Sequence, residues 1–137
     1  MKKYVLDACA VIALFKAEEG ASVVDNLLKE ANEGRHILLM HRINLLEVFY
    51  GYLWSDGLQV ANERISAIEG SCINVIDAVT SEMMHRAGEL KVAHRASLAD
   101  VVGLSCAIIE KAIFVTADHH ELDSIDKSGD AQIFWFR

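Results

Sequence analysis

Four acidic side chains stand beside or inside apolar segments of this chain: Asp7, Glu47, Asp100 and Asp118. Asp7 ends the run Tyr4-Val5-Leu6, and Asp118 closes Ile113-Phe114-Val115-Thr116-Ala117. Glu47 sits in Asn44-Leu45-Leu46-Glu47-Val48-Phe49-Tyr50-Gly51, and Asp100 in Ser97-Leu98-Ala99-Asp100-Val101-Val102-Gly103-Leu104. A carboxylate in apolar surroundings is paired, protonated or bound to a cation. Four of them imply a divalent ion, and hard oxygen ligands suit Mg²⁺ or Mn²⁺, not zinc. Such a site handles phosphate esters, because the ion activates water and stabilises charge on the attacking and leaving oxygens.

Each acid also has a plainer reading. Asp7 and Asp118 end apolar runs that read as strands, where an aspartate readily caps the next helix. That same place, beyond the C-terminal ends of parallel strands, is the usual ligand crevice of an open α/β sheet. Glu47 falls in the middle of a helical pattern and shares a face with Ile43, Asn44, Tyr50 and Gly51. Its plainer reading is a buried ion pair with Arg42 or Arg64. Asp100 shares a face with Ala96, Ser97, Gly103 and Leu104, and Ser97 three residues before it reads as an N-cap. Gly51 and Gly103 are consistent with close approach of another segment, since a helix glycine needs some reason.

The elements that must position these acids follow from the alternation of short apolar runs with longer helical patterns. Strands are expected at residues 3–6, 37–40, 73–76, 113–115 and 132–136. Their near-continuous apolar character is that of strands covered on both faces. Helices are expected at 10–16, 21–32, 42–54, 58–70, 81–94, 98–111 and 119–124. The pattern predicts an α/β fold with a mainly parallel sheet. Gly34 and Gly70 fall where helix C-terminal caps are expected, and Thr80-Ser81-Glu82 reads as a helix start. Phe134-Trp135-Phe136 reads as a final strand at a sheet edge.

At 137 residues and 53% apolar composition, residues 1–137 are expected to form one domain with a sizeable core. No apolar run approaches the length of a membrane span, and Met1-Lys2-Lys3 leads directly into Tyr-Val-Leu-Asp with no signal-peptide apolar region. Cys9, Cys72 and Cys106 show no CxxC spacing and read as small, mostly buried thiols of a reducing compartment, which predicts a cytoplasmic location. The net charge of −7 is an unfavourable sign for a nucleic-acid binder, although bound metal would neutralise several acids. Lys91, His94 and Arg95 form a basic cluster that suits either phosphate or the C-terminal end of a helix.

Taken in order, Tyr4-Val5-Leu6-Asp7, Leu45-Leu46-Glu47-Val48-Phe49-Tyr50-Gly51, Ser97-Leu98-Ala99-Asp100-Val101-Val102 and Val115-Thr116-Ala117-Asp118 resemble the motifs of the PIN-domain family. This is a family of metal-dependent ribonucleases that includes the VapC-type toxins of toxin–antitoxin pairs. The resemblance covers essentially the whole chain. It implies a three-layer α/β/α sandwich on a five-stranded sheet of order 3-2-1-4-5, with Mg²⁺- or Mn²⁺-dependent hydrolysis of RNA phosphodiesters. It also implies homodimerisation and a small cognate antitoxin that blocks the site. Carried over by residue, Asp7, Glu47, Asp100 and Asp118 are the metal ligands, direct or through water, and Thr116 orients one of them. Three departures stand out: Ala8 and Cys9 replace the usual Ser or Thr, no proline precedes the Glu47 helix, and Leu122 stands where an aromatic is common.

A different class of function on the same fold is a module that binds RNA or a partner protein without cleaving. A phosphatase fits less well, because Cys9 stands where a DxD motif has its second aspartate. His119-His120 reads as a solvated helix start, since neighbouring helix residues point about 100° apart. Cys9 is expected to pack, having no evident base. Asp123, Asp126 and Asp130 are expected in a solvated loop, with an outer-shell ligand as the alternative. Tyr52 and Trp54 read as core aromatics, or else as dimer or antitoxin contacts.

Overall fold

The structure, a computed structural model, describes residues 1–137. Five strands form one parallel sheet: β1 (Lys2–Leu6), β2 (His36–His41), β3 (Ile73–Ile76), β4 (Ile113–Thr116) and β5 (Ile133–Trp135). Their order is β3-β2-β1-β4-β5, so β1 lies at the centre and the chain reverses direction of travel there. Val5 pairs with Leu39 of β2 and Phe114 of β4, and Leu6 pairs with Val115.

Seven helices cover the sheet: α1 (Ala8–Lys16), α2 (Ala21–Asn32), α3 (Arg42–Asp56), α4 (Leu58–Glu69), α5 (Ser81–Ala93), α6 (Leu98–Ile109) and α7 (His119–Ser128). Successive strand residues point to opposite faces, which divides the core in two. Leu6, Leu38, Met40 and Val115 pack with side chains of α1 to α4. Val5, Leu39 and Phe114 pack with α5, α6 and α7. The result is the expected α/β/α sandwich, with strands apolar on both sides because both sides are covered.

Several boundaries shift. The helix expected from residue 10 begins at Ala8, because the Asp7 carboxylate caps it directly. The last helix continues to Ser128, where Gly129 ends it at φ 77°. Gly34 adopts a left-handed φ of 78°, as a capping glycine should, whereas Gly70 closes its helix at φ −86°, a conformation open to any residue. The helix of Glu47 starts on an unexpected cap. Nδ1 of buried His41 accepts from the Ile43 amide at 3.0 Å while Nε2 donates to the Ala78 carbonyl at 2.8 Å, which fixes the orientation of the ring. Tyr52 lies in the core as expected, but Trp54 is 92% exposed because it falls on the outer side of α3. All three cysteines are free thiols, and only Cys106 is fully buried. No helix is long and apolar enough to cross a membrane.

Candidate active site

Parallel strands carry their exits to one end of the sheet, and the order around β1 gathers those of β1 and β4 side by side. Asp7 follows β1 and caps α1; Asp118 follows β4 and caps α7. Glu47 enters from the second turn of α3 and Asp100 from the first turn of α6. The structure brings all four into one open cleft of about 460 Å³, lined also by Cys9, Tyr50, Gly51, Ser97 and Glu121.

Both strand-end aspartates cap the helices that follow them, and both also line the cleft. One oxygen of Asp7 accepts from the Ala8 amide at 2.8 Å, while the other accepts from the Thr116 hydroxyl at 2.7 Å and the Cys9 thiol at 3.4 Å. Asp118 uses Oδ1 to cap the Glu121 amide at 3.2 Å. The Thr116 hydroxyl, fully buried at the end of β4, also accepts from the Asp118 amide at 3.2 Å. It therefore ties both strand-end acids to one atom.

On the helix side, Asn44 is completely buried and spans α3 and α6. Its amide donates to the Ala99 carbonyl at 3.2 Å and lies 3.4 Å from Glu47 Oε1. The two helices meet closely because Gly103 has no side chain: a Cβ there would stand 2.7 Å from Asn44 Oδ1 and 2.8 Å from Phe114 Cε1. The expectation of close approach holds for Gly103. It fails for Gly51, where a Cβ would meet nothing within 4 Å.

The electrostatics mark the cleft as short of positive charge. Burial is the main force raising the Asp7 carboxyl to about 6, opposed by the Thr116 hydrogen bond and assisted by the Glu47 charge. Burial, then the charge of Asp7, raises Asp100 to about 7. Glu47 is raised as well, first by burial and then, against its Asn44 bond, by Asp100 and Asp118. Burial and Asp7 push the Cys9 thiol up to about 12, which suits the packing role and not a nucleophile. None of the four acids forms an ion pair. Arg42 is taken by Asp77 and Glu69, and Arg64 lies over the rings of Phe15 and Tyr52, so the plainer reading of Glu47 falls away.

These donors fit a divalent cation by chemistry: hard oxygens, raised carboxyl pKa values at Asp7, Glu47 and Asp100, and no competing side-chain cation. In the conformation described, no three His, Cys, Asp or Glu side chains close into a ready ligand group. Mg²⁺ needs no such closed cage, since it retains waters and takes one or two carboxylates directly.

Glu121 does not stand out in the amino-acid pattern, yet it lines the cleft, and its charge helps to raise Asp100. A signal for it exists: Asp118-x-x-Glu121 is a capping-box spacing that places a second acid in the first turn of α7. His119 starts a helix as expected, but Asp123 and Asp126 lie within α7 and not in the solvated loop expected of them, because that helix runs on to Ser128. His119 stacks on Trp135 at 3.9 Å and bonds Asp123, Asp126 accepts from the Trp135 indole, and Asp130 pairs with His94. None of those aspartates lines the cleft. Lys91 donates to the Ala96 carbonyl at 2.6 Å, so the basic cluster serves the end of α5.

The fold has known counterparts. A chain of the VapBC2 complex of Rickettsia felis, bound to a promoter DNA fragment, is similar with a TM-score of 0.75, 19% identity and coverage of 97% of this chain and 98% of that one. A chain of VapBC-1 from nontypeable Haemophilus influenzae gives 0.71, 20% identity and 98% coverage of both. VapC20 of Mycobacterium tuberculosis, described as a sarcin-ricin loop cleaving toxin, gives 0.62, 13% identity, and coverage of 81% of this chain and 86% of that one. These likenesses show a VapC-type fold. No curated protein matches the chain in sequence. The PIN domain pattern matches residues 4–128, and the chain belongs to the PIN-domain family.

Proposed function

We propose that this protein is a Mg²⁺- or Mn²⁺-dependent endoribonuclease whose ion is held by Asp7, Glu47, Asp100 and Asp118, directly or through water. The observation that carries the reading is the convergence of four acids from four distant elements in one cleft without a side-chain cation. A divalent ion bound there supplies an acidified water and stabilises charge on the oxygens of the reacting phosphodiester. The residues do the rest. Thr116 holds Asp7 and Asp118 in fixed relation, Asn44 holds Glu47 against α6, and Ser97 fixes the start of α6 and with it Asp100. Attack of water on phosphorus with departure of the 3′ oxygen leaves a 5′-phosphate and a 3′-hydroxyl.

The similar VapBC complexes support a further part of the reading, that the chain is the toxin of a toxin–antitoxin pair with a cognate antitoxin. A homodimer and a cytoplasmic location belong to the same proposal, and the three free thiols suit that reducing compartment. Cleavage of labelled structured and unstructured RNAs tests it, with Mg²⁺, with Mn²⁺ and with chelator, beside Asp100→Asn. Metal-dependent cutting that vanishes in the variant is expected. Metal binding by calorimetry without cutting would favour a non-cleaving RNA- or protein-binding module instead, a reading to which the thiol of Cys9 in place of a hydroxyl lends some weight.

A further inference from the structure

One face of α3 continues out of the acid cleft in a form that ion binding does not require. Glu47, Tyr50, Gly51 and Trp54 recur at helical spacing and share that face. Tyr50 and Gly51 line the cleft with the acids. Tyr50 is 54% exposed and Trp54 92%, and neither ring takes part in the aromatic pairs of the fold. Between them, Gly51 weakens the helix relative to alanine. Nothing in the packing asks for it, because an added Cβ meets no atom within 4 Å. Gly103, by contrast, is demanded by its neighbours. A glycine without a packing reason, at the rim of a cleft and between two bare rings, leaves backbone open for something flat to lie against.

We propose that Tyr50, Gly51 and Trp54 form a stacking track for unpaired bases of a single-stranded RNA segment next to the phosphodiester in the cleft. This rests on the nuclease reading and names how the substrate is gripped. Tyr50 and Trp54 are ~6 Å apart in backbone rise along the helix axis, more than the ~3.4 Å between stacked bases, so each residue is spaced to take one base of an extended strand. Charge points the same way. The chain carries a net charge of −7, and Arg42, Arg35 and Lys29 are committed to acidic partners. Stacking is indifferent to that deficit, because every base has a π face. Bare bases are also what distinguishes a single strand from a duplex, whose bases are hidden.

The test uses the full chain with Ca²⁺ in place of Mg²⁺ or Mn²⁺, and a labelled oligoadenylate as single strand or paired in a duplex. Single-strand binding with a shallow salt dependence is expected, with quenching of tryptophan emission that disappears in Trp54→Phe although binding persists. Tyr50→Ala and Trp54→Ala each weaken binding by about tenfold. Gly51→Ala raises Tm by about 2–4 °C yet weakens binding severalfold, a combination that a purely structural residue cannot give. Unchanged or absent single-strand binding across the set, or equal binding of the duplex, overturns the track. So does loss of self-association in the variants without any effect on RNA, which would assign the face, with its neighbours Leu46 and Leu53, to a protein partner. The two readings fail separately: quenching without metal-dependent cutting removes only the nuclease, and cutting unaffected by these variants removes only the track.

Discussion

Asp7→Asn should make the ion-free protein more stable while making it deaf to metal. Asp7 is 4% exposed, and burial lifts its carboxyl from 3.8 to about 6. The folded state therefore binds the proton more tightly than the unfolded chain. Stability is unaffected below about pH 4, falls as pH rises through the interval between the two values, and is lowest above pH 6. A shift of that size corresponds to about 3 kcal/mol at 1.36 kcal/mol per pH unit. Asparagine is nearly isosteric and keeps a carbonyl for the Ala8 amide, but its bond to Thr116 is weaker than that of a carboxylate, a loss of about 1 kcal/mol. The net gain at pH 8 in chelator is about 2 kcal/mol, or about 7 °C in Tm for a chain of this length. At pH 4 the gain vanishes or reverses. Millimolar Mn²⁺ should raise the Tm of the wild type and leave the variant where it was, reversing their order. Scanning calorimetry at pH 4 and pH 8, with and without Mn²⁺, reads all four states. A variant less stable than wild type at pH 8 in chelator, or a difference that ignores pH, would refute the claim that an uncompensated buried charge sits at this position.

Thr116→Val removes the one hydroxyl that serves both strand-end acids. It leaves the second oxygen of Asp7 and the Asp118 amide short of a partner, so urea denaturation should show a loss of about 1–3 kcal/mol, and NMR titration should place the Asp7 carboxyl above its wild-type value. Gly103→Ala should destabilise by about 1–3 kcal/mol, because its Cβ would displace buried Asn44 or Phe114, neither of which has room to yield. If α3 moves in response, metal affinity measured by calorimetry falls with it; an unchanged denaturation midpoint would show that the α3–α6 contact is looser than described.

Much of this architecture is legible because the strands of a doubly covered parallel sheet are continuous apolar runs. All five strands lie within a residue or two of where those runs place them. The four acids can be read for the same reason, as polar interruptions of patterns that should bury. What escapes depends on three-dimensional neighbours. Glu121 looks like an ordinary first-turn acid, since nothing local says that α7 begins at the rim of the cleft. His41 as a helix cap is invisible because its other nitrogen needs the Ala78 carbonyl from a distant segment. Apolar character alone assigns Trp54 to the core, although its spacing from Glu47 places it on the cleft side of α3 and not the sheet side. The role of Asn44 is hinted at by its place beside Glu47, but its bond to the Ala99 carbonyl belongs to helix packing and has no signature in sequence.

The hydrogen bond from the Thr116 hydroxyl to Asp7 joins residues 109 positions apart in the chain. The central strand is therefore made long before its neighbour β4. During synthesis at ~5–20 residues per second, the first acid waits several seconds or more for the strand that completes its surroundings. An emerging chain that has displayed Asp7, Glu47 and even Asp100 still lacks the Thr116 hydroxyl that bonds Asp7, and lacks Asp118. The four-acid arrangement is thus absent from every nascent intermediate that has yet to release β4. Sheet topology thus makes this cleft one of the last parts of the molecule to be completed, however early its first acid is made.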